Sequence, residues 1–247
     1  MSDNVVQLLG SPGLVGLVFV IVMFGALVQA GLGMGFGQVV APLLALIDPH
    51  LVPGPVLMIG LVTATLGALR EREGIVWGEV GTGVAGRLAG VIAAVAVLAV
   101  LPDRKTFMLV FGLLIAASVV MSLAGWKLAF SRRNLLAMSA VSGLTGTVTS
   151  IGAPPLAIVY AGREPRAARP TLSAYFALGI VLSLAGLFAS GWAGPGDVAT
   201  ALLLVPPMLA GILVARLVQD RFDRRYRPLL LILAGAASVL LIMRGLS

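Results

Sequence analysis

The residue of this sequence whose type and position point most directly to chemistry is Arg87. It lies in the middle of an apolar segment, residues 78–101, and Glu79, the nearest carboxylate in the sequence, stands two turns away at the segment's edge. An ionisable side chain in such a place is costly to bury and marks a site or a pathway by default. A guanidinium without a carboxylate suits a bidentate oxyanion, so we expect Arg87 to bind an anion. Hydrogen bonding to carbonyls of a broken helix, or snorkelling of the stem, are the structural alternatives.

A second group of candidate ligands lies in residues 143–155, where glycines, prolines and hydroxyl side chains interrupt an apolar stretch. Their hydroxyls and backbone N–H groups can coordinate an oxyanion, and the candidates are Gly146, Thr147, Thr149, Ser150 and Gly152. Capping of half-helices, or hydrogen bonds between helices, would use the same hydroxyls.

A similar interruption occurs early in the chain, at residues 31–37, where every second residue is glycine. We expect Gly33, Gly35 and Gly37 to line the same site, together with Gln38, which supplies a polar side chain next to them. Close helix packing is the alternative role for these glycines. Tyr175, on the helix after the second interruption, is a further candidate.

The composition places these residues in a membrane protein. Of the 247 residues, 59% are hydrophobic and 11% are charged, and the mean hydropathy is +1.07. Soluble domains are about 45–50% apolar and about 25% charged. We predict an all-α integral membrane protein in the lipid bilayer, with about eight hydrophobic stretches. The net charge of +7 fits Lys and Arg in cytoplasmic loops better than nucleic-acid binding.

Two of the hydrophobic stretches, residues 12–47 and 134–161, are unusual because each is interrupted. The first has 36 residues, about 54 Å as one helix, which is too long for one crossing of a core about 30 Å thick. We predict that the glycines break both helices, with Pro42 in the first stretch and with Pro154 and Pro155 in the second.

The two interruptions repeat each other at a spacing of 112 residues, which aligns Gly31 with Gly143 and Pro42 with Pro154. We predict an internal duplication with repeats 1–125 and 126–247 in one transmembrane domain. Broken segments at corresponding places in two halves indicate a secondary transporter with its site at the breaks. The reason is that backbone groups freed at membrane depth are tolerated where they line a polar cavity.

Two topologies are open for the interrupted stretches. If each stretch crosses the membrane once, inner loops carry 10 Lys and Arg residues and outer segments carry 6. If each stretch is a hairpin, which gives a 5+5 inverted repeat, the counts are 13 and 3. The positive-inside rule favours the hairpins, although their second arms are short. Both topologies place both termini outside the cell.

Missing residue types exclude several classes of function. The chain has no cysteine and one histidine, so thiolate chemistry, histidine metal clusters and Ser/His/Asp triads lack their residues. We expect no enzyme activity, no cofactor and no metal. No carboxylate lies deep in a hydrophobic stretch, which argues against a buried proton relay. A non-transporting scaffold or assembly protein and an anion channel stay open as alternatives, as does a homo-oligomer.

Four segments carry a family resemblance: Gly31–Gly37 leading into Ala41–Leu44, Gly143–Pro155, Gly86–Leu88 and Arg169–Phe176. With them the chain resembles the sulfite exporter TauE/SafE family of membrane transporters over nearly its whole length. The resemblance implies an exporter or permease for a small anion, such as sulfite, thiosulfate or an organosulfonate, in a bacterial cytoplasmic membrane. The chain departs from the family's common Gly-x-Gly-Gly-Gly form at Met34 and Phe36.

Overall fold

The chain forms ten α-helices in the part that the computed structural model describes, residues 11–32, 35–218 and 226–246. They are α1 (Pro12–Leu32), α2 (Phe36–Ile47), α3 (Gly54–Arg70), α4 (Trp77–Ala99), α5 (Arg104–Leu123), α6 (Arg132–Thr149), α7 (Ala153–Val159), α8 (Pro165–Ala189), α9 (Pro195–Val218) and α10 (Tyr226–Leu246). The described residues contain no strand, so the prediction of an all-α protein is confirmed.

Six helical segments among the described residues are long and apolar enough to cross a bilayer. They are Pro12–Ala30, Pro49–Arg70, Trp77–Ala99, Lys105–Leu123, Ala167–Ala189 and Pro195–Ala215. Large apolar side chains on their outer faces are exposed, as for Ile92 and Leu202 at 62% and 66%. Such surfaces suit lipid rather than water. The chain is therefore a multi-pass membrane protein.

Several helix ends lie together at one end of the bundle, which we call the Arg169 end, and polar side chains contact each other there. Arg169, near the start of α8, is ion-paired with Glu71, which follows α3. Arg163, after α7, lies 2.8 Å from Glu79 at the start of α4. The end of α3 and the starts of α4 and α8 therefore lie together.

A different set of helix ends lies at the opposite end of the bundle, which we call the Asp197 end. Asp197, in the first turn of α9, borders Gly54 at the start of α3. Arg244, near the end of α10, donates to the Leu46 carbonyl near the end of α2 at 2.7 Å. Since α3 begins at this end and finishes at the Arg169 end, the two ends are opposite faces of the bundle.

The first interrupted stretch folds back on itself as a hairpin of α1 and α2. Gly35 caps the start of α2 with φ +112°, a left-handed conformation that glycine adopts without steric cost. Phe36 N donates to Gln29 Oε1 at 3.0 Å, and Gly25 packs against Val40. The two arms are therefore antiparallel, and α2 runs back toward the Asp197 end.

The second interrupted stretch is a hairpin of α6 and α7 that opens to the Arg169 end. Ser150 ends α6 with φ 63°, and α7 begins at Ala153. Pro154 and Pro155 lie in the first turn of α7, where a missing N–H removes no intrahelical bond. Leu128 N donates to the Ile158 carbonyl at 3.2 Å, so α7 finishes close to where α6 starts.

The prediction that Pro42 breaks the first stretch is wrong. Pro42 lies inside α2 and is buried there, whereas the left-handed Gly35 caps the start of α2. A proline inside a helix removes one backbone hydrogen bond, which burial among neighbouring helices can compensate. The 112-residue spacing that aligns Pro42 with Pro154 therefore does not align the two breaks, which are capped by Gly35 and Gly152.

Helix packing relates the first five helices to the last five. Helix α4 packs along α6, and α9 packs along α1 in the corresponding way, while α3 lies against α8 and α5 against α10. The boundary expected between residues 125 and 126 separates α1–α5 from α6–α10. Duplication of the sequence itself stays a prediction.

Candidate functional site

The tips of the two hairpins meet inside the bundle. A Cβ atom on Gly37, in the first turn of α2, would lie 2.8 Å from the Ser150 carbonyl carbon and closer still to its oxygen. Ser150 Oγ also donates to the Pro53 carbonyl, before α3, at 3.2 Å. Only glycine at position 37 permits this backbone approach. The two interruptions, 112 residues apart in the sequence, thus form one region of the structure.

Close packing of α4 on α6 places Arg87 beside these tips. A Cβ atom on Gly86 or Gly90 of α4, or on Gly143 of α6, would overlap a backbone carbonyl oxygen of the facing helix. Small residues allow this approach between membrane helices. Arg87 extends from the contact surface into the bundle and is 1% exposed, so the snorkelling alternative is wrong for this residue.

The Arg87 guanidinium has few and long hydrogen bonds. Nη1 donates to Ser142 Oγ at 3.4 Å and Nη2 donates to Ser183 Oγ at 3.2 Å, while Nε has no partner among the residues that the structure describes. The ring centroids of Tyr175 and Phe176 lie 5.5 Å and 6.0 Å from Cζ. Within the described part of the chain, no carboxylate pairs with Arg87. Burial of a charge without a counterion is strongly unfavourable, so this site favours a bound anion.

Two hydroxyl groups hold the guanidinium and connect it to the second hairpin. Ser142 Oγ donates to the Gly152 carbonyl at 2.6 Å, so a lone pair of the same oxygen faces Arg87. Ser183 Oγ lies 2.8 Å from Thr147 Oγ1 and donates to the Gly179 carbonyl at 3.1 Å. Because these hydroxyl protons have other acceptors, both oxygens are oriented to accept from Arg87. The two serine hydroxyls therefore fix the orientation of the guanidinium, but they do not neutralise its positive charge.

A small cavity of about 50 Å³ lies between the hairpin tips and Arg87. A water molecule needs about 10–15 Å³ of such space, so the cavity holds a few waters or one small ion. The sequence-predicted residues that line it come from both interruptions and from α4: Gly35, Gly37, Gln38, Arg87, Gly146, Ser150 and Gly152. Their assignment as ligands stays a prediction.

Three predicted residues do not line this cavity. Thr147 bonds to Ser183 as described, and Tyr175 packs against the guanidinium face. Thr149 Oγ1 donates to the Thr145 carbonyl at 2.7 Å and accepts from Ile151 N at 3.2 Å, so it stabilises the end of α6. Gly33 lies outside the described residues.

Four residues of the site were not predicted from the sequence as anion ligands: Ser142, Ser183, Phe176 and Gln29. The two serines lie in apolar helices whose orientation is decided by packing between the halves. Gln29 had a readable signal, because it is a polar side chain near the end of a long apolar segment. Its amide oxygen accepts from the first N–H of α2, and it lines the cavity.

Comparison with known proteins identifies a family for the chain. The family model described as sulfite exporter TauE/SafE matches residues 17–241, which covers both hairpins, Arg87 and the helices between them. No curated protein and no solved structure matches the chain. The matched family is one of membrane transporters rather than enzymes. On this match over most of its length, the chain belongs to the sulfite exporter TauE/SafE family.

Proposed function

We propose that this chain is a secondary transporter that moves a small anion, with sulfite, thiosulfate or an organosulfonate as the expected class, and that Arg87 is the main charge partner. The observation that carries the proposal is the buried Arg87, which has no carboxylate partner among the described residues, beside a cavity built from both hairpin tips. An anion there would supply the missing counterion. It would also accept charge-assisted hydrogen bonds, which are roughly twice as strong as neutral ones.

The rest of the cavity suits an oxyanion as well. The first turn of α2 contributes Phe36, Gly37 and Gln38 to the lining, and the leading N–H groups of a helix lack intrahelical acceptors. The positive end of the helix dipole favours negative charge at the same place. The volume of about 50 Å³ favours a compact anion such as sulfite over a larger organosulfonate in this conformation.

The arrangement of the hairpins supports alternating access. They enter from opposite ends of the bundle and meet at their tips, and helices of one half pack on corresponding helices of the other. We infer a 5+5 inverted repeat in which one half rocks against the other around the tips. Most of the Lys and Arg positions in the described part of the chain lie at the Arg169 end, among them Arg70, Arg72, Lys127 and Arg163, so we assign it to the cytoplasm. The predicted location of both termini outside the cell concerns residues 1–10 and 247, which lie outside the described residues.

Flux in proteoliposomes tests the proposal. Purified protein is reconstituted, loaded with sulfite, thiosulfate, taurine or sulfate, and assayed for exchange against external anion. We expect saturable flux of one sulfur anion, lost in Arg87→Gln and retained in Arg72→Gln, a matched change of an exposed arginine outside the site. Flux that rises linearly with concentration would indicate an anion channel instead. A folded protein without flux of any tested anion would contradict transport and favour the scaffold alternative.

A further inference from the structure

A second cavity of about 400 Å³ opens toward the Arg169 end. It lies between α1 and α3 of the first half and α8 and α9 of the second, and we call it the vestibule. The lining residues used below are Gln29, Thr63, Leu66, Arg70, Glu71 and Arg169. Its volume is several times that of the central cavity.

The vestibule borders the central cavity. Gln29 and Thr63 line both. The cavity at the opposite end, bounded by His50, Trp192 and Asp197 among others, shares no lining residue with the central one. Of these two larger cavities in the described part of the chain, only the vestibule therefore shares lining residues with the central cavity.

Charge at the mouth of the vestibule favours anions. Arg169 is neutralised by Glu71, to which Nε donates at 3.0 Å in addition to a second bond from Nη2. Arg70, on the last turn of α3, is exposed and is the additional positive charge of the mouth. Two guanidinium groups against one carboxylate leave a formal charge of +1. Farther in, the polar side chains of Thr63 and Gln29 line the wall that the vestibule shares with the central cavity.

We propose that the vestibule is the passage between the central site and the Arg169 end, with Arg70 and Arg169 as an anion entry site and with Gln29 and Thr63 as the constriction before Arg87. This inference rests on the proposed transport of an anion. To that function the inference adds the route of the anion and the residues along the route that select the charge of the solute. It also adds the end of the protein to which this conformation gives access. Field lines focused by a charged cleft raise the local concentration of the opposite ion.

Cysteine labelling tests the passage directly, because the chain has no cysteine of its own. Leu66→Cys places a thiol in the vestibule, where the native side chain is 44% exposed. The control is Val62→Cys, one turn earlier on α3. It replaces a side chain that is 38% exposed but lines neither cavity. Each variant is treated in sided membrane vesicles with anionic iodoacetate or with cationic (2-bromoethyl)trimethylammonium, whose thioether adducts are not cleaved by sulfite. After washing, sulfite flux is measured on modified and unmodified protein.

We expect Leu66→Cys to react from the Arg169 face and Val62→Cys to stay unreactive. The anionic reagent should be favoured over the cationic one by about fivefold relative to free cysteine, since a single charge several ångströms away in water shifts the two rates in opposite directions. Arg70→Gln should remove that preference. The adduct on Leu66→Cys should block sulfite flux, while the same treatment should leave the flux of Val62→Cys unchanged.

The inference is overturned if Leu66→Cys reacts no faster than Val62→Cys, if the cationic reagent is favoured, or if flux survives complete modification. Failure of the proposed function gives a different result. In that case unmodified Leu66→Cys transports no sulfite, and the labelling rates alone decide whether a water-filled, anion-selective vestibule exists.

Discussion

Replacement of Gly37 by alanine should separate the two hairpin tips and weaken anion binding. The new Cβ atom would lie 2.8 Å from the Ser150 carbonyl carbon, where ordinary contact begins at 3.4 Å, so the tips must part by at least 0.6 Å. The neighbour is backbone and cannot rotate away. Overpacking of this kind costs about 1–3 kcal/mol of unfolding free energy. Loss of one hydrogen bond from a charged group to the ligand corresponds to about 10- to 100-fold weaker binding.

The assay compares Gly37→Ala with Gly81→Ala in detergent. Gly81 lies on α4 with nothing within 4 Å of an added Cβ, so its replacement should be neutral or stabilising by about 0.5–1 kcal/mol through helix propensity. Melting temperature and the dissociation constant for sulfite are measured for both variants. Equal melting temperatures and equal dissociation constants for the two variants would refute the direct contact of the hairpin tips, and with it the shared site.

Three further predictions concern Arg87, its supports and the topology. The methyl group that Gly179→Ala adds would overlap Cδ and Nε of Arg87. Calorimetric titration of the folded variant should therefore show anion affinity reduced by about tenfold or more. Unchanged affinity would mean that the guanidinium is not a ligand. Ser142→Ala removes a buried bond between the two arms of the second hairpin and should lower the unfolding free energy by about 1 kcal/mol, read from thermal denaturation. Lys105→Cys should react with an impermeant maleimide from the external face and Lys127→Cys from the cytoplasmic face. The reverse pattern is expected if each interrupted stretch crosses the membrane once, and it would contradict the hairpins.

The sequence predicted the parts of this structure that depend on local chemistry. Apolar composition and segment length indicated membrane helices, and glycine-rich runs indicated where the helices break. An arginine far from any carboxylate indicated a buried cation in need of a partner. These signals are readable because glycine, proline and charge have strong effects on a helix in lipid.

The parts that sequence reasoning missed depend on packing between distant segments. Pro42 and Pro154 carry the same local signal in the sequence, yet Pro42 lies inside α2 whereas Pro154 lies in the first turn of α7. Ser142 and Ser183 hold the guanidinium from two different helices, and nothing in either local sequence shows that these serines face Arg87. The vestibule is formed between the two halves and has no signature in either half.

The central claim, that Arg87 binds the transported anion where the hairpins meet, is tested most directly by ligand-dependent thermal stability. The purified protein is melted with sulfite, thiosulfate, sulfate, taurine, sulfoacetate or chloride, alongside Arg87→Gln and Arg72→Gln. At 100 times its dissociation constant, a ligand of the folded state adds about 2.7 kcal/mol of stability. We predict a rise in melting temperature with one sulfur anion for wild type and Arg72→Gln, and none for a folded Arg87→Gln. A rise that persists undiminished in Arg87→Gln would contradict the assignment of Arg87 as the anion's partner.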